Sequence, residues 1–138
     1  MILHVYTDGG SRGNPGKSGS GVVIKNEKGE VMCQESRYLG IKTNNEAEYM
    51  ALIGALRWIL GNKNNYSIEK IEFLSDSQLL VFQMMGKYKV KAAKIIPLYL
   101  EAIELLRKIS SPNRFKHIYR EENMLADMLA NQAMGRQG

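Results

Sequence analysis

The sequence predicts an α/β fold in which one mixed, five-stranded sheet carries helices on both faces. Three strand-like segments come first, joined by short connections, and strand and helix segments alternate after them. Strands joined by short turns pair antiparallel, whereas strand–helix–strand connections give parallel pairs with helices packed on the sheet. No repeat, linker or low-complexity segment divides the chain, so we expect a single domain over residues 1–138.

The first part of the chain is expected to form three antiparallel strands and a long helix. The strands cover 2–8, 19–25 and 30–39, and Asn-Glu-Lys-Gly at 26–29 has the composition of a hairpin turn. Thr43 and the two asparagines after it offer N-cap chemistry for a helix that runs to about Leu60. Gly61-Asn62 is then expected to end this helix.

The second part alternates strands and helices. We expect a strand over 68–75, a short helix from Asp76-Ser77-Gln78 to near Gly86, a helix over 92–109, a strand over 115–119 and a helix over 121–134 before a frayed tail. In such sheets ligands bind at the carboxyl ends of strands where the strand order reverses. Asp8 and Asp76 become neighbours if the first and fourth strands pair in parallel.

Composition favours a polyanionic partner. The net charge is +5 and the pI is near 9.3, and Lys87, Lys89, Lys91 and Lys94 lie close together. Clustered lysines gain affinity for nucleic acid by releasing counterions from phosphates. A solvated lysine face remains the alternative, because net charge alone is unspecific.

The cysteine content suggests the cellular compartment of the protein. Cys33 is the single cysteine, so no disulfide can form within the chain, and a reducing compartment is expected. We find neither a secretion leader nor an apolar run of membrane-spanning length. We therefore expect a cytoplasmic protein that does not bind membranes.

A glycine-rich stretch follows the first carboxylate of the chain. After Asp8 come glycines at 9, 10, 13 and 16, and we expect Asp8 to end its strand and the glycines to form a turn. Without a Cβ, these residues can adopt positive φ or allow another backbone to come close. A carboxylate beside bare amides suits a metal ion and a phosphodiester.

Helical geometry separates two glutamates at the start of the first helix. At about 100° per residue, Leu52, Ala55 and Ile59 lie within about 40° of Glu48, whereas Glu46 lies about 160° away. Glu48 therefore points with the apolar face, and Glu46 is expected on the solvent side. An inward carboxylate needs a cation or hydrogen-bond donors, and backbone amides or an arginine are the alternative to a metal.

Two further carboxylates complete the candidate site. Asp76 has a simple alternative role as a helix N-cap, and Asp127 could be an ordinary surface residue. If both converge on Asp8 and Glu48, however, four negative charges need divalent cations of the Mg²⁺ or Mn²⁺ type. Two such ions are a known device for phosphodiester cleavage, and zinc is disfavoured by a chain with one cysteine and two histidines.

Four spaced motifs closely resemble those of type 1 ribonuclease H, in the same order and over almost the whole chain. Together they are far more specific than any one alone. They are Thr7-Asp8-Gly9-Gly10-Ser11-x-Gly13-Asn14-Pro15-Gly16, Thr43-Asn44-Asn45-x-Ala47-Glu48-Tyr49, Ser75-Asp76-Ser77-Gln78 and Arg120-Glu121-x-Asn123-x-x-Ala126-Asp127-x-Leu129-Ala130-Asn131.

The resemblance implies a ribonuclease H-like fold and an endonuclease that cuts the RNA strand of RNA–DNA hybrids, leaving 5′-phosphate and 3′-hydroxyl ends. It also implies two Mg²⁺ ions, with Mn²⁺ as a possible substitute. Asp8, Glu48 and Asp76 would hold one ion, and Asp8 with Asp127 the other.

Substrate-binding residues are likewise implied by the resemblance. Gly9, Gly10 and Ser11 would lie against RNA 2′-hydroxyls, Asn14, Asn44, Asn45 and Gln78 would reach bases from the minor groove, and Thr43 would belong to a DNA phosphate pocket. Capping and turn chemistry is the alternative role for Thr43, Asn44 and Asn45.

The chain departs from the family pattern in two places. Many members carry a long basic handle after the short helix, and here only Gly86–Lys91 stands there, so hybrid binding would rest more on Lys87, Lys89 and Lys91. Many members also carry a loop histidine before the last carboxylate. His117 is expected to be a strand residue instead, and Arg120 could partly replace the histidine by facing phosphate.

Two other functions remain open from sequence. One is a non-catalytic module that binds hybrid or double-stranded RNA, against which the full set of four carboxylates argues. The other is a nuclease of the same fold that prefers RNA duplex. We expect a monomer with no obligate protein partner.

Overall fold

The structure is a computed structural model that describes residues 1–137. Its strands are β1 (Ile2–Arg12), β2 (Gly16–Lys25), β3 (Val31–Lys42), β4 (Lys70–Ser75) and β5 (Asn113–His117). They form one sheet in the order β3-β2-β1-β4-β5. The first three strands pair antiparallel, and β4 pairs in parallel with β1 and β5. The predicted mixed sheet is confirmed.

Helices cover both faces of this sheet. They are α1 (Asn44–Asn62), α2 (Gln78–Met84), α3 (Ile96–Ile109) and α4 (Met124–Gln137), with a 3-10 turn over Arg120–Glu122. One face packs with α1, α2 and α3 in the main core, which includes Leu3, Val5, Leu52, Leu56 and Phe73. On the other face, Ala126 and Leu129 of α4 pack on Val23. In residues 1–137 no helix combines the length and the apolar character that crossing a membrane requires.

The glycine-rich stretch is strand rather than turn up to Arg12. Gly9, Gly10, Ser11 and Arg12 pair with residues 17–20 of β2, so the prediction that β1 ends at Asp8 was wrong. Ladder hydrogen bonds outweigh the weak strand preference of glycine here. The turn lies at residues 13–15, where Gly13 has a φ of 98°. The parallel pairing of β1 with β4 nevertheless stops at Thr7 and Ser75, which leaves Asp8 just beyond it.

Several boundaries differ from the predictions by a few residues. The first helix continues through Gly61 and Asn62 to a cap at Lys63, since a helical glycine costs only about 1 kcal/mol. The third helix starts at Ile96 rather than 92, because Pro97 is tolerated only in the first turn. The other strands run over 16–25, 31–42, 70–75 and 113–117 instead of 19–25, 30–39, 68–75 and 115–119.

The C-terminal segment also differs. A 3-10 turn replaces the predicted start of the last helix, and α4 begins at Met124. The helix α4 extends to Gln137 and therefore includes Gly135, and the end of the predicted frayed tail, Gly138, lies outside the described residues.

Candidate active site

Four carboxylates from separate elements lie in one cleft of about 370 Å³. Oxygen atoms of Asp8, Glu48 and Asp76 all lie within 4.8 Å of one another. Asp127 lines the same cleft, close enough to Asp8 to contribute to the raised pKa of that carboxyl group. The fold therefore gathers the four acidic side chains that the sequence singled out.

Asp8 and Asp76 are brought together by the parallel pairing of β1 and β4. Each comes directly after the last pair of the β1–β4 ladder, Thr7 with Ser75. The role of N-cap of α2 belongs to Ser77, whose Oγ accepts a hydrogen bond from the Leu80 amide at 3.2 Å. The alternative of Asp76 as a simple cap is thus excluded, and its carboxylate faces the cleft.

Glu48 reaches the cleft because α1 rests directly on the backbone of β1. Its Oε1 accepts a hydrogen bond from the Gly9 amide at 2.9 Å. A Cβ on Gly9 would lie closer than 3.0 Å to the backbone of Ala47, so only glycine permits this approach. Sequence analysis offered backbone amides as an alternative to a metal ion at Glu48, and one such amide, that of Gly9, is present. Asp8 and Asp76 nevertheless lie beside Glu48 and add negative charge that this amide does not balance.

Glu46 has a different role on the same helix. Its Oε1 accepts a hydrogen bond from the Thr43 amide at 2.9 Å, and the Thr43 hydroxyl accepts from the Glu46 amide at 3.2 Å. This capping box starts α1. Glu46 is partly exposed and points away from the cleft that Glu48 lines.

Asp127 reaches the cleft because α4 packs closely against β2. Gly21 lies opposite Asp8 in the β1–β2 ladder, and a Cβ on Gly21 would collide with the carbonyl oxygen of Ala126. A Cβ on Gly19 would likewise collide with the carbonyl oxygen of Ala130. The small residues allow α4 to lie against β2, so Asp127 is a half-buried residue of the cleft and the surface alternative is wrong.

Sequence reasoning assigned no role to Asn123, although the residue is 1% exposed beneath the cleft. Its Nδ2 donates to the carbonyl oxygen of Thr7 at 2.9 Å and lies 3.4 Å from Asp76 Oδ1. The backbone carbonyl oxygen of Asn123 accepts a hydrogen bond from the Asp127 amide at 3.1 Å. The available signal was an asparagine just before a helix, a common capping position, four residues from an acidic one.

The acidic cluster perturbs its own titration. Burial, and then the charge of Asp76, raise the pKa of Asp8 from 3.8 to about 8. Burial, and then the charge of Asp8, raise the pKa of Glu48 well above its usual value. Arg120 Nε forms an ion pair with Asp76 Oδ2 at 3.9 Å, but the Arg120 side chain is 79% exposed, and this one solvated charge leaves the pKa values of Asp8 and Glu48 raised. A divalent cation suits this set of hard oxygen donors.

The residues predicted to contact RNA lie partly in this cleft. Gly9, Gly10, Ser11 and Asn44 line it together with the carboxylates. The Ser11 amide donates to Asn44 Oδ1 at 2.9 Å, and the Asn44 amide donates to Asn14 Oδ1 at 3.0 Å. The capping alternative therefore holds for Thr43, and Asn14 and Asn44 bind backbone in this structure.

The remaining predicted residues lie around the cleft. Asn45 and Gln78 are exposed in the first turns of α1 and α2, and Lys87 and Lys89 are exposed after α2. His117 is the exposed last residue of β5, which confirms the strand prediction, while Arg120 lines the cleft. Cleft residues to which sequence reasoning assigned no role include Arg12 and Asn131.

Comparison with known proteins places this geometry in context. Residues 6–133 match a family described as reverse transcriptase-like. The bifunctional protein Rv2228c of Mycobacterium tuberculosis is 37% identical over 97% of this chain and 36% of its own length. Ribonuclease HI of Halobacterium salinarum is 35% identical over 96% of this chain and 64% of its own length.

A solved structure shares the fold over nearly its full length. The crystal structure of LC11-RNase H1 in complex with an RNA/DNA hybrid superposes with a TM-score of 0.92 and 40% identity, covering 98% of both chains. The chain spans only about a third of the length of the first curated relatives it matches.

Proposed function

Because the chain belongs to the reverse transcriptase-like family, and within it to the type 1 ribonuclease H group, we propose that it hydrolyses the RNA strand of RNA–DNA hybrids. It acts as an endonuclease and leaves 5′-phosphate and 3′-hydroxyl ends. The observation that carries this proposal is the meeting of Asp8, Glu48 and Asp76 within 4.8 Å, with Asp127 beside them.

The donor set suits two Mg²⁺ ions, with Mn²⁺ as a substitute. Carboxylate oxygens are hard ligands, and neither thiolate nor imidazole belongs to the cluster. Asp8, Glu48 and Asp76 would hold one ion and Asp8 with Asp127 the other. When bound, such ions supply an activated water and charge stabilisation at the leaving oxygen.

The protein holds a proton where the cations bind. Burial, and then the charge of Asp76, raise the pKa of Asp8 to about 8, so the Asp8 carboxyl group keeps a proton near neutral pH. Asp8 would have to lose that proton to hold a cation, so affinity for the cation would increase as pH rises. Gly9 and Asn123 hold the carboxylates of Glu48 and Asp76 in place through the hydrogen bonds described above.

Substrate recognition is assigned to the rim of the cleft. The backbone at Gly9 and Gly10 and the Ser11 side chain face the RNA strand, where 2′-hydroxyls distinguish RNA from DNA. Binding of a duplex is also served by exposed or half-buried groups in and around the cleft. Minor-groove contacts are made by the side-chain amides of Asn14, Asn44, Asn45 and Gln78. Thr43, Lys87 and Lys89 contact phosphates of the backbone. Arg120 contacts the phosphate at the scissile region.

The protein is further proposed to be a cytoplasmic monomer. One half-buried free cysteine, Cys33, agrees with a reducing compartment, and the cleft is built by a single chain.

A cleavage panel tests the proposed function. Labelled RNA–DNA, RNA–RNA and DNA–DNA duplexes are incubated with the protein and Mg²⁺ or Mn²⁺, and Asp8→Asn is run beside the wild type. We expect cleavage of the RNA in the hybrid, products ending in 5′-phosphate, and no cleavage by the variant. Intact RNA with folded wild type would mean a binding module, and faster cleavage of RNA duplex would mean a nuclease with a different substrate.

A further inference from the structure

A buried polar pair outside the cleft joins the catalytic helix to the basic segment after α2. The Tyr49 hydroxyl donates to Gln83 Oε1 at 2.7 Å, and Gln83 Nε2 donates to the carbonyl oxygen of Lys89 at 3.3 Å. Tyr49 is 1% exposed and Gln83 is 6% exposed. Tyr49 directly follows Glu48 on α1, so this chain of hydrogen bonds connects Lys89 to the helix that carries a cleft carboxylate.

The segment it holds is residues 86–91, Gly-Lys-Tyr-Lys-Val-Lys, which we call the basic turn. The turn folds back on α2, since the amides of Lys87 and Tyr88 donate to the carbonyl oxygen of Phe82 at 2.8 and 3.1 Å. Lys87 Nζ also lies 5.3 Å from the centre of the Phe82 ring. Further along, the turn forms neither helix nor strand, and there Gln83 supplies the bond to Lys89.

A polar pair at this depth is a costly way to fill a core. Leucine and phenylalanine would pack there without the desolvation that an amide and a hydroxyl require. Buried hydrogen-bonded pairs do, however, select one arrangement of the groups they join. Here the group selected is the backbone of a turn whose lysine side chains are exposed.

We propose that Gln83, held by Tyr49, is a positioning residue for substrate binding. By fixing the backbone at Lys89, it sets where the lysines of the basic turn meet phosphates relative to Glu48. The inference rests on the proposed function and adds to it a residue that contacts neither substrate nor metal. Replacing Gln83 should lower the electrostatic contribution to hybrid affinity and leave the rate of the chemical step unchanged.

The test compares Gln83→Leu with the paired apolar change Tyr49→Phe/Gln83→Leu, which leaves no buried hydroxyl unpaired. We expect KM for the hybrid to rise about 3- to 10-fold in both, with kcat within about twofold of wild type. The slope of log affinity against log salt should fall by about 1, as for one lost phosphate contact. An unchanged KM and salt slope would overturn the positioning role.

A background without the lysines separates positioning from general damage. In a Lys87→Ala/Lys89→Ala/Lys91→Ala protein, Gln83→Leu should add no further rise in KM. An equal rise in both backgrounds would overturn the inference, because the effect would then not pass through the lysines.

Hydrogen exchange gives a readout that does not depend on activity. The amides of Lys87 and Tyr88 should exchange at least about tenfold faster in Gln83→Leu than in the core control Ile59→Val, since local opening of the turn becomes easier. Equal exchange in the two variants would overturn the inference. Wild type that fails to cleave hybrid overturns the proposed function, whereas wild-type cleavage with unchanged KM in Gln83→Leu overturns the positioning role alone.

Discussion

Asn123 donates a hydrogen bond to the carbonyl oxygen of Thr7 at 2.9 Å, in a buried position directly beneath the carboxylate cluster. Thr7 precedes Asp8, and the same amide group lies 3.4 Å from Asp76. The backbone carbonyl of Asn123 also receives the first helical hydrogen bond of α4, from the amide of Asp127. Through its side chain and its backbone carbonyl, Asn123 thus connects the segments that carry three of the four cleft carboxylates.

Replacing this residue by Asn123→Ala should reduce both stability and activity. The carbonyl oxygen of Thr7 would lose its buried partner, which costs roughly 1–3 kcal/mol of unfolding free energy. A displacement of Asp8 or Asp76 by about 1 Å would lower kcat by roughly 100-fold. Urea unfolding and hybrid cleavage measure the two effects, and the exposed Asn64→Ala should show neither. Full activity in Asn123→Ala would show that the carboxylates do not need this support.

The raised pKa of Asp8 predicts how stability depends on pH when divalent ions are removed by EDTA. Between the unfolded pKa near 4 and the folded pKa of about 8, the folded protein binds more protons than the unfolded chain. The free energy of unfolding should therefore fall as pH rises from about 4 to about 8 and level off above that. Glu48 contributes in the same direction, because its pKa is also raised.

Urea unfolding at pH 5, 6, 7 and 8 measures this slope. Asp8→Asn should be flatter and, at pH 8, more stable than wild type by about 1–3 kcal/mol. Excess Mg²⁺ at pH 8 should stabilise wild type and have little effect on Asp8→Asn. Stability that rises through this pH window would contradict the assigned electrostatics.

Two glycines on neighbouring elements should respond to alanine with opposite sign. Gly9→Ala places a Cβ closer than 3.0 Å to the backbone of Ala47, so α1 must move away from β1 at a cost of about 1–3 kcal/mol. Gly61→Ala lies inside α1 with nothing within 4 Å and should stabilise by about 0.5–1 kcal/mol. Thermal unfolding measures both. Cleavage should fall only in Gly9→Ala, and a neutral Gly9→Ala would show that this close approach is not needed.

Fold class and the inward direction of Glu48 were accessible from local patterns, whereas Asp76 and Asp127 were singled out only by considering the four spaced motifs together. The helical phase of Glu48 and the strand–helix alternation around Asp76 are set by neighbours in the chain. The end of β1 was not accessible, because strand pairing with residues 17–20 keeps Gly9 and Gly10 extended. The local sequence of one strand does not determine which residues of a neighbouring strand pair with it.

Asn123 and Gln83 escaped sequence reasoning for a related reason. Each acts through partners far along the chain, Thr7 for Asn123 and Tyr49 for Gln83. An asparagine before a helix and a glutamine inside one are common without such partners. Their importance becomes visible only once tertiary structure has buried them.

The two glutamates of α1 provide the sharpest separation of function from stability. Glu48→Gln removes a charge that burial and Asp8 destabilise, so the protein should become more stable above pH 7 while cleavage of hybrid falls by roughly 100-fold or more. Glu46→Gln keeps an oxygen that can accept from the Thr43 amide, so the capping box and the cleavage rate should be preserved. Measuring kcat and urea unfolding for both variants in one buffer checks the pair. Equal loss of activity in the two variants would mean that damage to α1, and not the loss of a metal ligand, explains the Glu48→Gln result.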